Sequence, residues 1–268
     1  MNNKCITLTT DFGLKDGYVG AMKGVLTRIC PEARLVDISH NITPQNVLEG
    51  SLVLSRAYSY FPAGTVHLAV VDPGVGTNRR PIAAQLGDHY FVGPDNGLFT
   101  PILEEVEKKG GKIEMVLLKN PKLWLPEVSL TFHGRDIFAP AAANLARGIP
   151  LAEFGPAIED PIRMTLPKPE RTEKGWRAHI VSIDHFGNLA TDLPVGNLFG
   201  AAGVLVQIRG RMVRGLAQSY GQGKTGDLLV LVNSQYFIEI AVVNGSAAEV
   251  LGASVGELIE VFIQSKVE

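Results

Sequence analysis

Cysteine is nearly absent: Cys5 and Cys30 are the only two in 268 residues. Two thiols supply neither a paired Cys-x-x-Cys zinc motif nor a disulfide framework, so each reads as a small buried hydrophobe in a reduced, cytoplasmic setting. Charge of one sign is also lacking. The 25 Lys+Arg nearly balance 27 Asp+Glu, and a net charge of −2 leaves no basic footprint for nucleic acid. No apolar run approaches a bilayer span; the longest, such as 66–72 and 228–232, are strand-sized, and no membrane partner is expected. The opening "MNNKCITL" lacks the basic-then-apolar pattern of a secretion signal. His-Glu-x-x-His and the Gly-x-Ser-x-Gly nucleophile elbow are missing too, so neither a metal site nor a serine hydrolase is indicated. What remains is a chain of ordinary globular composition, long enough for one large or two modest domains with full cores. The carboxylates at strand ends, Asp11 and Asp72, and not composition, point to a small-molecule ligand.

The chain has two halves with different patterning. In the first, strands read at 4–10, 33–39, 65–71 and 112–118, with a hairpin over 82–93 turning at Gly87-Asp88. Helices are expected from an Asp16 cap through Ile29, after a Thr43-Pro44 cap, over about 98–109 and over 137–147. Alternating strands and helices imply an α/β fold: an N-terminal three-layer domain with a mostly parallel sheet, spanning 1–165. The charged, proline-bearing segment 166–176 reads as a linker. Residues 177–268 then offer seven short strand candidates between glycine-bearing turns and no long helix. That pattern favours a smaller C-terminal antiparallel β-barrel-like domain.

Open α/β sheets bind ligands beyond the carboxyl ends of their strands. "TTDFGLKDGYVG" (9–20) places Asp11 there after the first strand, and "VVDPGVGTNRR" (70–80) places Asp72 after the third. A carboxylate can accept two hydrogen bonds from a ribose diol, so Asp11 suits a sugar; it equally suits capping its own turn. Arg79 or Arg80 could fold back onto Asp72 as a charge-assisted pair, or both could be solvated. "LTFHGRDIFAPAAANLARG" (130–148) sets His133 ahead of an alanine-rich helix capped by Asp136. The positive helix end lowers an imidazole's pKa and keeps it neutral, as a general base requires. In the second half, "IDHFGNLATDL" (183–193) carries Asp184 and Asn188 in a bend, where turn formation competes with ligand binding. Ser234, Tyr236, Glu239 and Asn244 surround a later strand and could hold the charged groups of an amino acid.

Taken in order, "TTDFG", "VDPGVG", "PDNGL", "TFHGRD", "DHFGN" and "NGSAAE" resemble the S-adenosyl-L-methionine hydrolases, hydroxide adenosyltransferases related to the fluorinating and chlorinating enzymes. The likeness runs from about residue 5 to 262. It implies that water or hydroxide displaces methionine at the ribose 5′ carbon, giving adenosine and L-methionine, with no cofactor and no metal. It maps a catalytic Asp–Arg–His set onto Asp72, Arg79 and His133, and a ribose-binding aspartate onto Asp11. Asp16, Gly17 and Tyr18 then line the nucleoside, and Asp184 and Asn188 hold the methionine part. Ser234 contacts its carboxylate, while Glu239, Val242 and Asn244 lie near the nucleoside or amino acid. A homotrimer, with the active site at the subunit interface, is likewise implied. Halogenating relatives carry serine where this chain has Gly134 and lack an aspartate at the position of Asp72, whose charge would repel a halide. Halide-using adenosyl transfer is thus disfavoured. A non-catalytic sensor of S-adenosylmethionine or adenosine, and a metal-dependent hydrolase using Asp11, Asp16 and His133, are the other readings. Of the two possible bases, His133 is preferred, because an arginine-paired carboxylate is a weak base.

Overall fold

The computed structural model describes residues 4–201 and 203–264. The chain forms two compact units, Met1–Thr165 and Leu166–Glu268. Among the described residues, no helix is long and apolar enough to cross a membrane.

The first unit is built on six strands: β1 (Cys5–Thr10), β2 (Arg34–Ser39), β3 (Val66–Val70), β4 (Pro81–Leu86), β5 (His89–Pro94) and β6 (Ile113–Leu117). Their order is β2-β1-β3-β5-β4-β6. The first four in that order run parallel, and β4 opposes both of its neighbours. Side chains of β3 alternate between two cores. Val66, Leu68 and Val70 pack with α1 (Tyr18–Ile29) and with the later, alanine-rich helix Ala139–Ala146. Ala69 and, just past the strand, Val71 face α2 (Val47–Ala57) and α3 (Thr100–Lys108). A strand covered on both faces needs the unbroken apolar run seen at 66–71. The result is the expected three-layer α/β architecture.

Because β1 lies between β2 and β3, the chain leaves β1 to one side and returns on the other. The gap between β1 and β3 is therefore a topological switch point. Thr10 pairs with Val70, so the two strands end level, and Asp11 and Asp72 follow at their carboxyl ends.

Two helix starts differ from expectation. Asp16 does not cap α1: the N-cap is Gly17, at φ 71°, with no side-chain cap bond. The left-handed turn there suits glycine, which has no Cβ to oppose it. Thr43-Pro44 does not open α2 either. The helix starts three residues later, capped by Asn46, whose side chain accepts the Glu49 N–H. Residues 43–46 form a turn instead, with Gln45 at φ 66°.

The second unit holds β7 (Glu170–Thr172), β8 (Gly175–Ile183), β9 (Leu189–Pro194), β10 (Gly203–Ile208), β11 (Arg211–Arg214), β12 (Leu228–Val232), β13 (Phe237–Val242) and β14 (Leu258–Gln264). The order β11-β10-β14-β8-β9-β13-β12 is antiparallel throughout. Ala217, beyond β11, bridges Leu231 of β12 and nearly closes the sheet into a barrel around Ile180, Val206, Ile238, Ile240 and Ile259. Part of the segment expected to be a linker is sheet: β7 and the start of β8 form a hairpin inside 166–176.

Candidate active site

Three side chains from two distant segments meet just beyond the β3 end. The Arg79 guanidinium donates through Nε to Asp72 Oδ1 and Oδ2, at 2.9 and 3.0 Å, and through Nη2 to Oδ2. The same Nη2 lies 2.9 Å from His133 Nδ1. Arg79 also stacks over the buried Phe138 ring, 5.0 Å from its centroid, and both members of the pair are largely buried. Arg80 turns the other way, to Asp95 and Asp160, and Asp95 in turn accepts the Ile162 N–H. The choice left open by adjacent arginines is settled by these partners: Arg79 meets Asp72, while Arg80 fastens the "PDNGL" turn.

His133 immediately precedes a π-helical turn, Gly134–Phe138, which runs into α4 (Ala139–Ala146). Asp136 is not the cap expected for that helix. It lies buried inside the turn, where its carboxylate accepts the Ser129 N–H and pairs with Arg135. Burial pushes the His133 pKa below its ordinary value and the Arg79 charge pushes it the same way; Asp72 and Asp136 oppose them. The ring is therefore neutral at pH 7. A guanidinium can only donate, so Nδ1 must be the acceptor and the proton of the neutral ring sits on Nε2.

Asp11 leaves the end of β1, and its Oδ2 accepts the Gln45 N–H at 2.7 Å. The remaining oxygen retains acceptor capacity. Asp16 and Gly17 are exposed in the β1–α1 loop. Tyr18 is half-exposed, and its ring meets Phe132 edge-on at 5.2 Å and Phe12 at 6.1 Å. With Ser129, Thr131 and Arg135, these three aromatics line a groove of about 430 Å³. Gly134 sits behind it. A Cβ there would meet Met22 Sδ and ring carbons of Phe12 and Phe132, each at 3.3 Å. Phe12 and Phe132 were missed as site residues, although both lie inside quoted motifs; nothing in sequence distinguishes a lining aromatic from a core one.

In the second unit, Asp184, Asn188, Val242 and Asn244 line one cavity of about 560 Å³ together with Phe186 and Tyr220. Asp184 also does turn work: its carboxylate accepts N–H groups of Phe186 and Asn188 and the Asn188 side-chain amide. Glu239 lies buried and accepts the Tyr220 hydroxyl at 2.7 Å. Burial, with that bond second, pushes the Tyr220 pKa up to about 12. Tyr220 was unreadable in advance, since "QSYGQG" has no periodicity or turn logic that would aim its ring. Ser234 is not brought to this cavity. It occupies the β12–β13 turn, beyond the opposite end of the six-residue β13 from Val242 and Asn244, a strand length of roughly 17 Å away. Two motifs explain one another here: Gly187 of "DHFGN" packs so closely on Ser246 of "NGSAAE" that a Cβ would lie 2.1 Å from Ser246 Oγ. Among the described residues, no three His, Cys, Asp or Glu side chains are grouped as metal ligands would be.

Comparison with known proteins shows the family of the chain. The model of the SAM hydroxide adenosyltransferase N-terminal domain matches residues 6–155, and that of the C-terminal domain matches 178–260. The chain is 44% identical to the (R)-S-adenosyl-L-methionine hydrolase of Salinispora tropica, covering 96% of this chain and 97% of that protein. It is 30% identical to a fluorinase of an Actinoplanes species, covering 89% and 91%. A crystal structure of a conserved protein from Thermotoga maritima superposes with a TM-score of 0.87 at 40% identity, over 96% of this chain and 99% of that one. With both matched regions present in order along one chain, this chain belongs to the SAM hydroxide adenosyltransferase family.

Proposed function

We propose that this chain is an enzyme that hydrolyses S-adenosyl-L-methionine to adenosine and L-methionine, with water attacking the ribose 5′ carbon. The observation that carries the chemistry is the guanidinium of Arg79 shared between Asp72 and His133. The sulfonium leaves as a neutral thioether and needs no acid. The nucleophile is the difficulty: free hydroxide at neutral pH costs roughly 12 kcal/mol, from a water pKa near 15.7. A positioned acceptor that takes the proton as the C–O bond forms is typically worth about a hundred- to ten-thousand-fold.

His133, the base preferred from the sequence, is not that acceptor in this reading. Its one unprotonated nitrogen already accepts from Arg79, and a base needs a free lone pair. Asp72, although its arginine partner makes it a weak base, keeps acceptor capacity beyond its contacts with Arg79, so the water proton moves toward it as the C–O bond forms. Arg79 holds that carboxylate and stabilises the developing hydroxide; His133 holds Arg79 and presents Nε2–H to the incoming oxygen. The C–S electron pair goes to sulfur, and the proton leaves to solvent through Asp72. Asp11 accepts from the ribose diol, with Asp16, Gly17 and Tyr18 beside the nucleoside. Asp184, Asn188, Val242, Asn244 and, behind Tyr220, Glu239 serve the methionine side; Ser234 contacts a carboxylate only if another copy supplies it.

The names of several relatives specify the (R) sulfonium. We extend that preference to this chain, and a homotrimer is part of the same reading. Leu14 and Leu130, both more than 70% exposed on the loops bearing Asp11 and His133, are apolar surface that a second copy would cover. Incubation with separated sulfonium epimers in ¹⁸O-water, with and without a chelator, tests the function. Adenosine labelled at its 5′ oxygen, formed faster from the (R) epimer and unaffected by chelation, is expected. Binding without adenosine release would favour a sensor. Light scattering should return three times the 28.9 kDa chain mass.

A further inference from the structure

Behind the Asp11 loop lies a buried histidine that the mechanism does not use. His40, at the end of β2, is only 4% exposed. Its Nδ1 is 2.8 Å from the hydroxyl of Thr10, the fully buried last residue of β1, and that hydroxyl accepts the Phe12 N–H. The other nitrogen, Nε2, makes no well-aligned hydrogen bond but lies 3.0 Å from Asp37 Oδ1. Asp37 Oδ2 is held by Lys23 of α1 at 2.6 Å. The backbone joins in: the His40 carbonyl accepts the Gly13 N–H at 2.8 Å. The line is a hydrogen bond at Nδ1 and a charge contact at Nε2. A carboxylate can only accept, so Nε2 carries the ring proton toward Asp37 and Nδ1 accepts the Thr10 hydroxyl proton.

The line has a geometric consequence. Asp11 is flanked on one side by Thr10 and on the other by Phe12 and Gly13, whose N–H groups end on Thr10 Oγ1 and the His40 carbonyl. Its own carboxylate is braced by the N–H of Gln45, five residues past His40. One residue thus holds the Asp11 loop at two points: its ring through the Thr10 hydroxyl and its backbone carbonyl through the Gly13 N–H. We propose that His40 is a positioning residue for the nucleoside end of the site, acting through Thr10 and the 10–13 loop, with Asp37 and Lys23 fixing its tautomer. This rests on the assignment of Asp11 to the ribose. It touches neither substrate nor the Asp72–Arg79–His133 set. Losing it should loosen ground-state and transition-state binding alike, raising KM and leaving kcat nearly unchanged.

The test compares His40→Leu, His40→Asn, Thr10→Val and Asp37→Asn with the wild-type chain. Adenosine affinity is measured by calorimetry, S-adenosylmethionine kinetics by adenosine release, and hydrogen exchange over a peptide spanning residues 9–16. Expected for His40→Leu and Thr10→Val is an about ten- to thirtyfold rise in KM and in the adenosine dissociation constant, kcat within about threefold, and faster exchange of the 12–13 amides. His40→Asn, whose amide reaches the Nδ1 position, should recover most of the affinity. Asp37→Asn, at a half-exposed carboxylate, should fold and show a smaller shift of the same sign. Unchanged KM and exchange in Thr10→Val and Asp37→Asn overturns the proposal even if His40→Leu fails to fold, and so does an equal fall of kcat. A wild-type chain that releases no adenosine from S-adenosylmethionine marks instead a failure of the proposed function, and the adenosine affinities and exchange rates still judge His40.

Discussion

Arg79 Nη2 donates to His133 Nδ1 across 2.9 Å, joining residues 54 positions apart in sequence. That one bond settles which imidazole nitrogen bears the proton and removes the lone pair that a general base would use. It also makes Arg79 the shared element of the trio, since Asp72 and His133 each depend on it for orientation.

Replacing Arg79 by lysine should therefore be nearly as damaging as replacing it by alanine. An ammonium on a flexible stem cannot reproduce the planar fork that reaches a carboxylate and an imidazole together. Turnover is expected to fall about a hundred- to ten-thousand-fold in both variants, with adenosine affinity within a few-fold of wild type. Calorimetry beside a methionine-release assay reads both quantities, and a lysine variant that retains turnover would remove the bridging role.

Protonating His133 would place a proton on Nδ1 facing the Arg79 donors, breaking the bond. Burial first, then the Arg79 charge, lowers this pKa. The acid limb of activity should accordingly lie below the ordinary histidine value of 6.5. A kcat profile with an acid limb centred at or above 6.5 would contradict the assigned state. His133→Ala should lose turnover while binding adenosine, because Arg79 then loses its second anchor.

Gly134→Ser should not create a halide-using enzyme. The new Cβ meets Met22, Phe12 and Phe132 at 3.3 Å, so crowding costs about 1–3 kcal/mol of stability. The Asp72 carboxylate, still paired with Arg79, continues to oppose an anion at the nucleophile position. Urea unfolding should register the loss, and chromatography with added chloride or fluoride should find adenosine but no halogenated nucleoside.

Acid should weaken the first unit through His67, fully buried between the Thr7 hydroxyl, at 2.7 Å, and His89 Nδ1, at 3.2 Å. Burial, with the His89 charge second, pulls its pKa from 6.5 to about 3. The unfolded ring accepts a proton that the folded one refuses. The stability it contributes is complete above about pH 6.5 and is lost steadily as pH falls toward 3. Between pH 6.5 and 5 the loss is about 2 kcal/mol, from 1.36 kcal/mol per pH unit. Urea titrations should show a flatter pH dependence in His67→Gln, even though its baseline stability is lower.

Much of this molecule was legible locally. The run 66–71 announced a strand covered on both faces, because only burial on two sides tolerates consecutive apolar residues. Gly87-Asp88 announced its hairpin, and the change of pattern after residue 165 announced an antiparallel second half. Local signals failed where several residues could perform the same task. Asp16 and Thr43 are both good caps, but Gly17 and Asn46 took those places: a left-handed turn was needed at one, and the 43–46 turn lends its Gln45 N–H to Asp11 at the other.

What the amino-acid order determined by itself is the set of elements and the short motifs at their ends, since period, turn chemistry and capping act over a few residues. Tertiary structure alone decided between Arg79 and Arg80, fixed the His133 tautomer, left Ser234 at the far end of its strand and placed His40 beneath the Asp11 loop. Those outcomes depend on partners from 7 to 80 positions away, and only folding around the β1–β3 switch point and the barrel brings them, or fails to bring them, within a few ångströms.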